Sequence, residues 1–511
     1  MININSCKLG LLSGITCICG AAKAQISKDI NQSPHIILIM TDQQRGDALG
    51  CAGNDVVISP HIDELGTAGC IFTNAYTAAP SSTPARAGLL TGMSPWHHGL
   101  LGYGQVAEHY KYEMPQMLKD LGYHTLGIGK MHWHPQNALH GFEATILDES
   151  GRVESPYFMS DYHKWFYQKA LDLNPDSTGL GWNAHGAKSY ALPEELHPTR
   201  WTGDQAVEAI RKYNSSQPLF LKVSFARPHS PYDPPQRFVD MYEEKNIPVP
   251  VVGDWCKACM PNLEPEKNPD AYMGNFGVEY ACNSRKYYYA SITFIDEQVG
   301  RIIEELKSKD MYDNALICFV SDHGDMLGDH YLWRKTYAYE GSSSIPFIVK
   351  LPRSMKKVKK GISKIEEPVE LRDLLPTFLS INNSPIPKDM DGMSLLPLLE
   401  GQNKVLWRKF IDIEHATAYW DNNYWCALTD GKIKYIWFFR TGEEQLFDLV
   451  KDPHELQNLA VEQSSEQTLK TMRRAMIEHL SERGEEWVKN GELVVRRESL
   501  LYNPNYPNKR K

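Results

Sequence analysis

No basic excess marks this chain: 54 Lys and Arg stand against 63 Asp and Glu, a formal net charge of -9 over 511 residues. Phosphate backbones need clustered Lys and Arg, so a nucleic-acid surface is excluded and any polyanion must be met locally. The short basic run KKVKKG at 356–361 reads as a solvated loop. Beyond the first 24 residues no apolar stretch approaches the roughly 20 residues of a membrane span, so the processed chain is expected to be soluble. Internal repeats are missing, and so is zinc-cage spacing. Cys256-Lys257-Ala258-Cys259 has the CxxC form, but no second CxxC or paired His follows it, which leaves a local disulfide or two plain thiols. Of 10 cysteines, Cys7, Cys17 and Cys19 lie near the start, and the remainder is odd in number, so at least one thiol stays unpaired within the chain. Cys318, inside ALICFV, reads as a small core residue.

What is present is enough apolar material, 42% of residues, to bury a large core with a smaller unit beside it. The first 24 residues combine an early Lys, an apolar stretch from Leu9 to Cys19 and Ala22-Lys23-Ala24, the pattern of a cleavable export signal. Periplasmic or secreted localisation through the secretion machinery is expected. A lipoprotein anchor on Cys17 or Cys19 is the rival, with poorer flanking residues. Continuous apolar runs at 35–40, 219–225, 315–320 and 345–352 predict strands buried on both faces. Between them, Tyr288, Ile292, Ile295, Val299 and Ile302 recur at helical spacing within 285–308. Strands interleaved with helices predict an α/β sandwich about a largely parallel sheet, spanning residues 25–400. Chemistry in such sheets collects at the carboxyl ends of strands. From 401 to 511 the character changes. YWCALTDGKIKYIWFF predicts a hairpin turning at Asp430-Gly431, a helix follows near 465–485 with SSEQ as a capping start, and the tail YNPNYPNKRK is expected to fray.

Two of these strands run into acidic clusters, Thr41-Asp42-Gln43-Gln44-Arg45 and Ser321-Asp322-His323-Gly324-Asp325. One such Asp could simply cap a helix. Together they offer carboxylates, an amide oxygen and an imidazole, mostly hard donors that suit Ca²⁺ or Mg²⁺. In HTLGIGKMHWH, Lys130 and His132 would share one face of an extended backbone and hold an anion, though His134 is as close by spacing. VSFARPHSPYDPP delivers His229 after a strand between two prolines. Lys335 is uninformative alone. PSSTPARAGLLTG, residues 80–92, sets Ser82, Pro84 and Arg86 at alternate positions ahead of a helix-compatible segment.

Taken in order, Ser82-x-Pro84-x-Arg86 with its trailing Thr91-Gly92, TDQQR, GKMHWH, RPHSP, SDHGD and QLFDLVKDPHELQNLA resemble the motifs of type I sulfatases across roughly residues 35–460. The resemblance implies an alkaline-phosphatase-like α/β/α sandwich with a smaller C-terminal antiparallel sheet, a sulfuric ester hydrolase activity and a bound Ca²⁺, with Mg²⁺ second. It also implies oxidation of Ser82 to formylglycine, whose hydrate is a far better nucleophile than an unassisted hydroxyl. By the same resemblance Asp42, Gln43, Asp322, His323 and the modified Ser82 hold the metal. Gln43 replaces the commoner Asp. Arg86 steadies the hydrated aldehyde, Lys130 and Lys335 bind sulfate, His132 lies beside the formylglycine, and His229 protonates the departing alcohol. A serine at 82 implies an anaerobic-type maturase, and a chain carrying a Cys-to-Ser exchange there would read identically.

The substrate is expected to be a sulfated saccharide. The loop-rich stretch from Asp161 to Asp204 carries His197, Arg200 and Trp201 as candidate contacts, alongside Tyr162, His163, Trp165 and His185. The general pattern is similar to bacterial glycosaminoglycan sulfatases, above all those that remove a 2-O-sulfate from a terminal unsaturated hexuronate, with iduronate-2-sulfatases a more distant likeness. A phosphonate or phosphodiester hydrolase of the same fold and a non-catalytic glycan-binding protein are the alternatives.

Overall fold

The computed structural model of the chain describes residues 33–152, 155–256, 260–355, 363–402, 405–416, 419 and 423–507. The expected leader, Cys259 with its CxxC pairing, the basic run at 356–361 and the last four residues lie outside the described residues. No helix among the described residues is long and apolar enough to cross a membrane.

An eight-stranded sheet runs in the order Ala144–Leu147, His124–Gly129, Leu219–Pro228, His35–Asp42, Ala315–Ser321, Phe347–Lys350, Cys70–Phe72 and Ser363–Ile365. Its pairs are parallel except those made by Phe347–Lys350, which is antiparallel to both neighbours. The continuous apolar runs explain the two covered faces. In the central strand Ile36, Leu38 and Met40 enter one core with helices Ser82–Thr91, Met114–Asp120 and Leu374–Ile381, while Ile37 and Ile39 enter the other. That second face is closed by helices Pro60–Ala68, Pro198–Lys212 and Val278–Ser308. The result is an α/β/α sandwich. Each buried Ile or Leu, on strand or helix, contributes roughly 1.5–3 kcal/mol. Cys318 is wholly buried among them, as expected.

The long helix buries all five residues of the predicted stripe but starts at Val278 rather than 285, with Gly277 before it at φ 86°. The C-terminal hairpin forms between Trp425–Thr429 and Ile433–Phe438, where Asp430 Oδ1 accepts from the amides of Lys432 and Ile433 and Gly431 takes φ 82°. It belongs to a four-stranded antiparallel sheet flanked by Ile411–His415 and Glu443–Asp448. One face packs Ile413, Trp425 and Phe447 on Tyr76, Tyr337 and Tyr339 of the sandwich; helix Glu466–Leu480 covers the other through Met472 and Met476.

Two expectations are corrected here. Ser465 precedes that last helix, but its side chain makes no capping bond, because a 3₁₀ turn at Gln463–Ser465 leads into it. The tail does not fray before residue 507. Leu101 N donates to Leu501 O, Asn503 N donates to Gly99 O, and Tyr506 is buried in the core beside the first face.

His97 joins the units, its ring within 2.8 Å of Asp391 and 3.2 Å of Glu482. The Asp391 bond, against burial and with help from Glu482, raises its pKa to about 9. A raised folded value stabilises in full below the unfolded value of 6.5 and the effect is lost as pH rises through about 9. His97→Gln is therefore expected to lower the melting temperature at pH 6 and to leave it unchanged at pH 10, as read by calorimetry.

Candidate active site

Four adjacent parallel strands end at one place, and each hands over a reactive group. The central strand delivers Asp42 and Gln43; its neighbour Ala315–Ser321 delivers Asp322 and His323; Leu219–Pro228 delivers His229; His124–Gly129 delivers Lys130. The strand ladders set these positions directly, since His229 N donates to Asp42 O at 2.9 Å and Lys130 N to Ser224 O at 2.8 Å. Gly129, at φ 87°, has no room for a side chain, because a Cβ there would meet Ser224 O at 2.1 Å. Both prolines flanking His229 follow cis peptide bonds.

Ser82 is the first residue of helix Ser82–Thr91, every residue of which is buried. Arg86 lies one turn on, so both side chains occupy the same helix face. Its guanidinium is spent on four acceptors: Nε to Asp322 Oδ2 at 3.0 Å, Nη2 to Asp42 Oδ2 at 3.1 Å, Nη1 to Lys130 O at 2.7 Å and to Ser224 Oγ at 3.0 Å. Lys130 Nζ adds a 2.6 Å contact to the same Asp42 Oδ2. Burial alone would raise Asp42, but Lys130, with Arg86 and Lys335, holds its carboxyl well below the usual range.

The donors left over define a cation site. Asp42 Oδ1 is fully buried without a hydrogen-bond partner among the described residues. His323 Nδ1 donates to Gly324 O at 2.9 Å, which turns the lone pair of Nε2 inward, 3.9 Å from Asp42 Oδ1, 3.7 Å from Asp322 Oδ1 and 3.1 Å from Ser82 Oγ. Ligand atoms of Asp42, Asp322 and His323 all lie within 4.8 Å of one another. An orphaned carboxylate oxygen among these donors fits a hard divalent ion. Gln43, at φ 68°, is oriented by two neighbours: Nε2 donates to Asp325 Oδ2 at 2.5 Å and Oε1 accepts from Lys335 Nζ at 2.8 Å.

His229 Nδ1 donates to Ser230 O at 2.7 Å, so Nε2 accepts from Lys335 Nζ at 2.6 Å. In this arrangement the proton expected on His229 resides on Lys335. Burial, then the charge of Lys335, pushes the His229 imidazole well below its ordinary value. Burial pulls Lys335 down to about 7 against the attraction of Asp42. Arg334 and Thr336 beside it take φ 67° and 82°, backbone strain that the surroundings must hold in place.

His132 departs from the extended geometry expected of it. Its φ of 62° turns the chain, and Glu149 Oε1 accepts from the amides of both Met131 and His132 at 2.9 Å. The imidazole is buried, held well below its ordinary pKa by burial and then by Lys130, Arg152 and Arg86. Its neighbour is Tyr103, edge-on at 5.8 Å between ring centroids.

The three expected substrate contacts are placed elsewhere. Trp201 packs into a small core with Tyr162 and Phe166; Arg200 pairs with Asp204 at 3.0 Å on the outer side of its helix; His197 is buried, 3.5 Å from Asp233. None of them lines the cavity beside the cluster. Sequence reasoning missed Glu149 and the C-terminal braces, and it named Asp325 in its cluster without giving it a role. Glu149 and Asp325 follow strand exits, the same signal that found Asp42. His415, whose Nε2 is 2.8 Å from Ser81 Oγ, and Asn423 and Trp425, which donate to Thr336 O at 3.1 Å, come from distant sequence and left no local signal.

A family model described as Sulfatase matches residues 34–383, and one described as N-sulphoglucosamine sulphohydrolase, C-terminal, matches residues 328–482. The chain is 38% identical over 477 residues to an arylsulfatase of Clostridium perfringens, covering 90% of this chain and 97% of that protein. It is 31% identical to a choline-sulfatase of Rhizobium meliloti, over 84% of this chain and 82% of that one. It is 28% identical to the iduronate 2-sulfatase of Homo sapiens, over 80% and 79%. Among solved structures, a phosphonate monoester hydrolase of Agrobacterium radiobacter superposes with a TM-score of 0.75 at 22% identity, covering 91% of this chain and 100% of that one.

Removing Arg86 leaves Asp42 and Asp322 buried without their shared counter-charge. Arg86→Ala is expected to cost about 3–5 kcal/mol in chelator-treated protein, with Arg86→Lys recovering part of it, as read from urea unfolding midpoints.

Proposed function

Because the chain belongs to the sulfatase family and is therefore a sulfuric ester hydrolase, we propose that it desulfates a carbohydrate using formylglycine made from Ser82 and a divalent cation, Ca²⁺ ahead of Mg²⁺. The observation that carries this reading is Ser82 Oγ, 3.1 Å from His323 Nε2, set against two carboxylates that Arg86 ties together. Asp42, Asp322, His323 and Gln43 would hold the cation, which supplies positive charge against a sulfate oxygen and eases deprotonation of a nearby hydroxyl. Formylglycine at position 82, once hydrated, would supply the nucleophilic oxygen that an unassisted serine hydroxyl does not. Over the cycle R–O–SO₃⁻ and water give R–OH and hydrogen sulfate.

The remaining work falls to the chain's own side chains. Lys130 and Lys335 place ammonium charge where the sulfuryl oxygens gain charge in the transition state. Arg86 keeps both carboxylates ionised and aligned. Lys335 Nζ and His229 Nε2 hold one proton between them, and this proton passes to the leaving oxygen, assistance worth roughly 10² to 10⁴ in rate for a poor leaving group. A saccharide substrate, with the 2-O-sulfate of a terminal hexuronate in a glycosaminoglycan fragment as the specific assignment, is supported by the aromatic and basic cavity beside the cluster and by the iduronate 2-sulfatase relative. The likeness to the phosphonate hydrolase is one of fold. An anaerobic-type maturase acting on Ser82, and export of the chain to the periplasm or beyond, complete the proposal.

Protein matured in an anaerobic host is expected to show a loss of about 2 Da on the peptide containing Ser82 and to release sulfate from defined sulfated disaccharides. Asp322→Asn and His132→Ala are each expected to abolish release without unfolding the chain. Intact serine in active protein would sink the formylglycine assignment, and near-normal turnover in either variant would sink the site. His229→Ala is expected to slow a sugar sulfate by roughly 10² or more while slowing nitrophenyl sulfate less, since a phenolate departs without a proton. Equal losses on the two substrates would remove the Lys335–His229 pair from that role.

A further inference from the structure

Resting on the sulfatase reading, we infer that the cavity beside the catalytic cluster is a subsite for an anionic sugar ring, whose carboxylate or second sulfate is recognised by Arg227 and Arg152 over Trp182. The cavity encloses about 540 Å³, and all three residues line it. Trp182 joins it to the reactive groups. The indole stacks on the His229 ring at 4.8 Å and 21°, with Lys130 Nζ at 5.1 Å and Arg227 Cζ at 5.4 Å from its centre. A ligand in the cavity is thus one ring away from the sulfate-binding lysine and the proton-donating pair. The indole is fixed from the other side by Gly151, at φ 77°, where a Cβ would fall 1.8 Å from the ring.

The two guanidiniums are placed but not used up. Arg227 gives Nε and Nη2 to Asp233 at 2.8 and 3.2 Å, while its buried Nη1 has no hydrogen-bond partner among the described residues. Leaving such a donor unmet is unfavourable, and an anionic ligand group would relieve it. Two acids line the cavity: Asp233 is committed to this pair and to His197, and Asp176 is exposed to solvent. Arg152 Nη1 bonds Glu149 Oε2 at 2.8 Å, and the other oxygen of Glu149 holds the Met131 and His132 amides. One carboxylate therefore sets both the catalytic loop and the cavity's second cation. A guanidinium with one edge pinned and donors to spare binds a planar carboxylate or a sulfate better than an ammonium does.

Calorimetry on unmatured protein, with Ser82 intact and Ca²⁺ present, tests this independently of catalysis. The probes are a monosulfated uronate-containing disaccharide, its carboxyl-reduced counterpart, and that counterpart carrying a second sulfate. The acidic probe is expected to bind about 10- to 100-fold more tightly than the reduced one, the ratio set by a charge-assisted hydrogen bond. Arg152→Ala and Arg227→Lys are each expected to shrink that ratio, with Arg152→Lys restoring part of it. Recovery of affinity by the second sulfate would assign the site to anionic groups in general; no recovery would assign it to the carboxylate. Equal affinity for the acidic and reduced probes, or a ratio that neither variant moves, would overturn the inference. Selective binding by a protein that releases no sulfate once matured would remove the sulfatase chemistry proposed for Ser82 and leave the subsite standing.

Discussion

A single buried guanidinium organises this molecule's chemistry. Arg86 bridges Asp42 and Asp322, side chains that end neighbouring strands and show no exposure at all, and reaches Lys130 O and Ser224 Oγ on two further strands. Four strand ends are thereby locked to the helix that begins with Ser82. The charges do not hold the fold together, since a buried ion pair is commonly no better than a well-packed apolar substitute. Stability comes from the two cores on either side of the sheet, whose buried apolar residues each contribute roughly 1.5–3 kcal/mol. What Arg86 provides is order: it fills the outer oxygens of both carboxylates and leaves Asp42 Oδ1 open to the interior.

The same concentration of charge in a water-excluded place explains the protonation states around it. Asp42 is held ionised by the surrounding cations, while burial keeps His132, His229 and His323 from charging. Neutral imidazoles that donate through Nδ1 to their own loops, as His229 and His323 do, present lone pairs at Nε2. One of these faces Ser82 and the other accepts from Lys335. The loop carrying Lys335 cannot hold that geometry alone. Strained residues flank it, and the C-terminal sheet braces it from Asn423 and Trp425, just as His415 braces Ser81. The smaller unit is therefore part of the active site's scaffold, although it supplies none of the proposed reacting groups.

Most of the sandwich was legible in the sequence because a strand buried on both faces must be apolar throughout, and HIILIM and ALICFV announce that condition locally. The reactive set was legible because it stands at the exits of those strands and matches ordered family motifs. Substrate contacts were not, since aromatic richness does not distinguish a core from a cavity wall. Trp201, Ala206 and Ile210 share the buried side of a helix, while Arg200 and Asp204 form an i,i+4 pair outside it, a periodicity that already argues for core and surface. Trp182 follows a turn with no period to read, and its place against His229 depends on residues far along the chain. The docked tail is a similar case: its tyrosines look like loop composition until Leu100 and Gly99 are found beside them.

Division of labour between sheet and loops follows from these facts. The sheet fixes where the clustered Asp, His and Lys side chains meet, and a phosphonate monoester hydrolase has the same fold, so the fold by itself does not set the ligand. Ligand choice must then come from segments that the ladders do not constrain. Here the loops bearing Arg152 and Trp182, together with Arg227 at the outgoing end of a strand, meet over one indole. Glu149 couples the two layers, because its carboxylate holds the His132 loop on one oxygen and Arg152 on the other. A change in that cavity can therefore reach the catalytic loop through one hydrogen-bonded side chain, without any movement of the sheet.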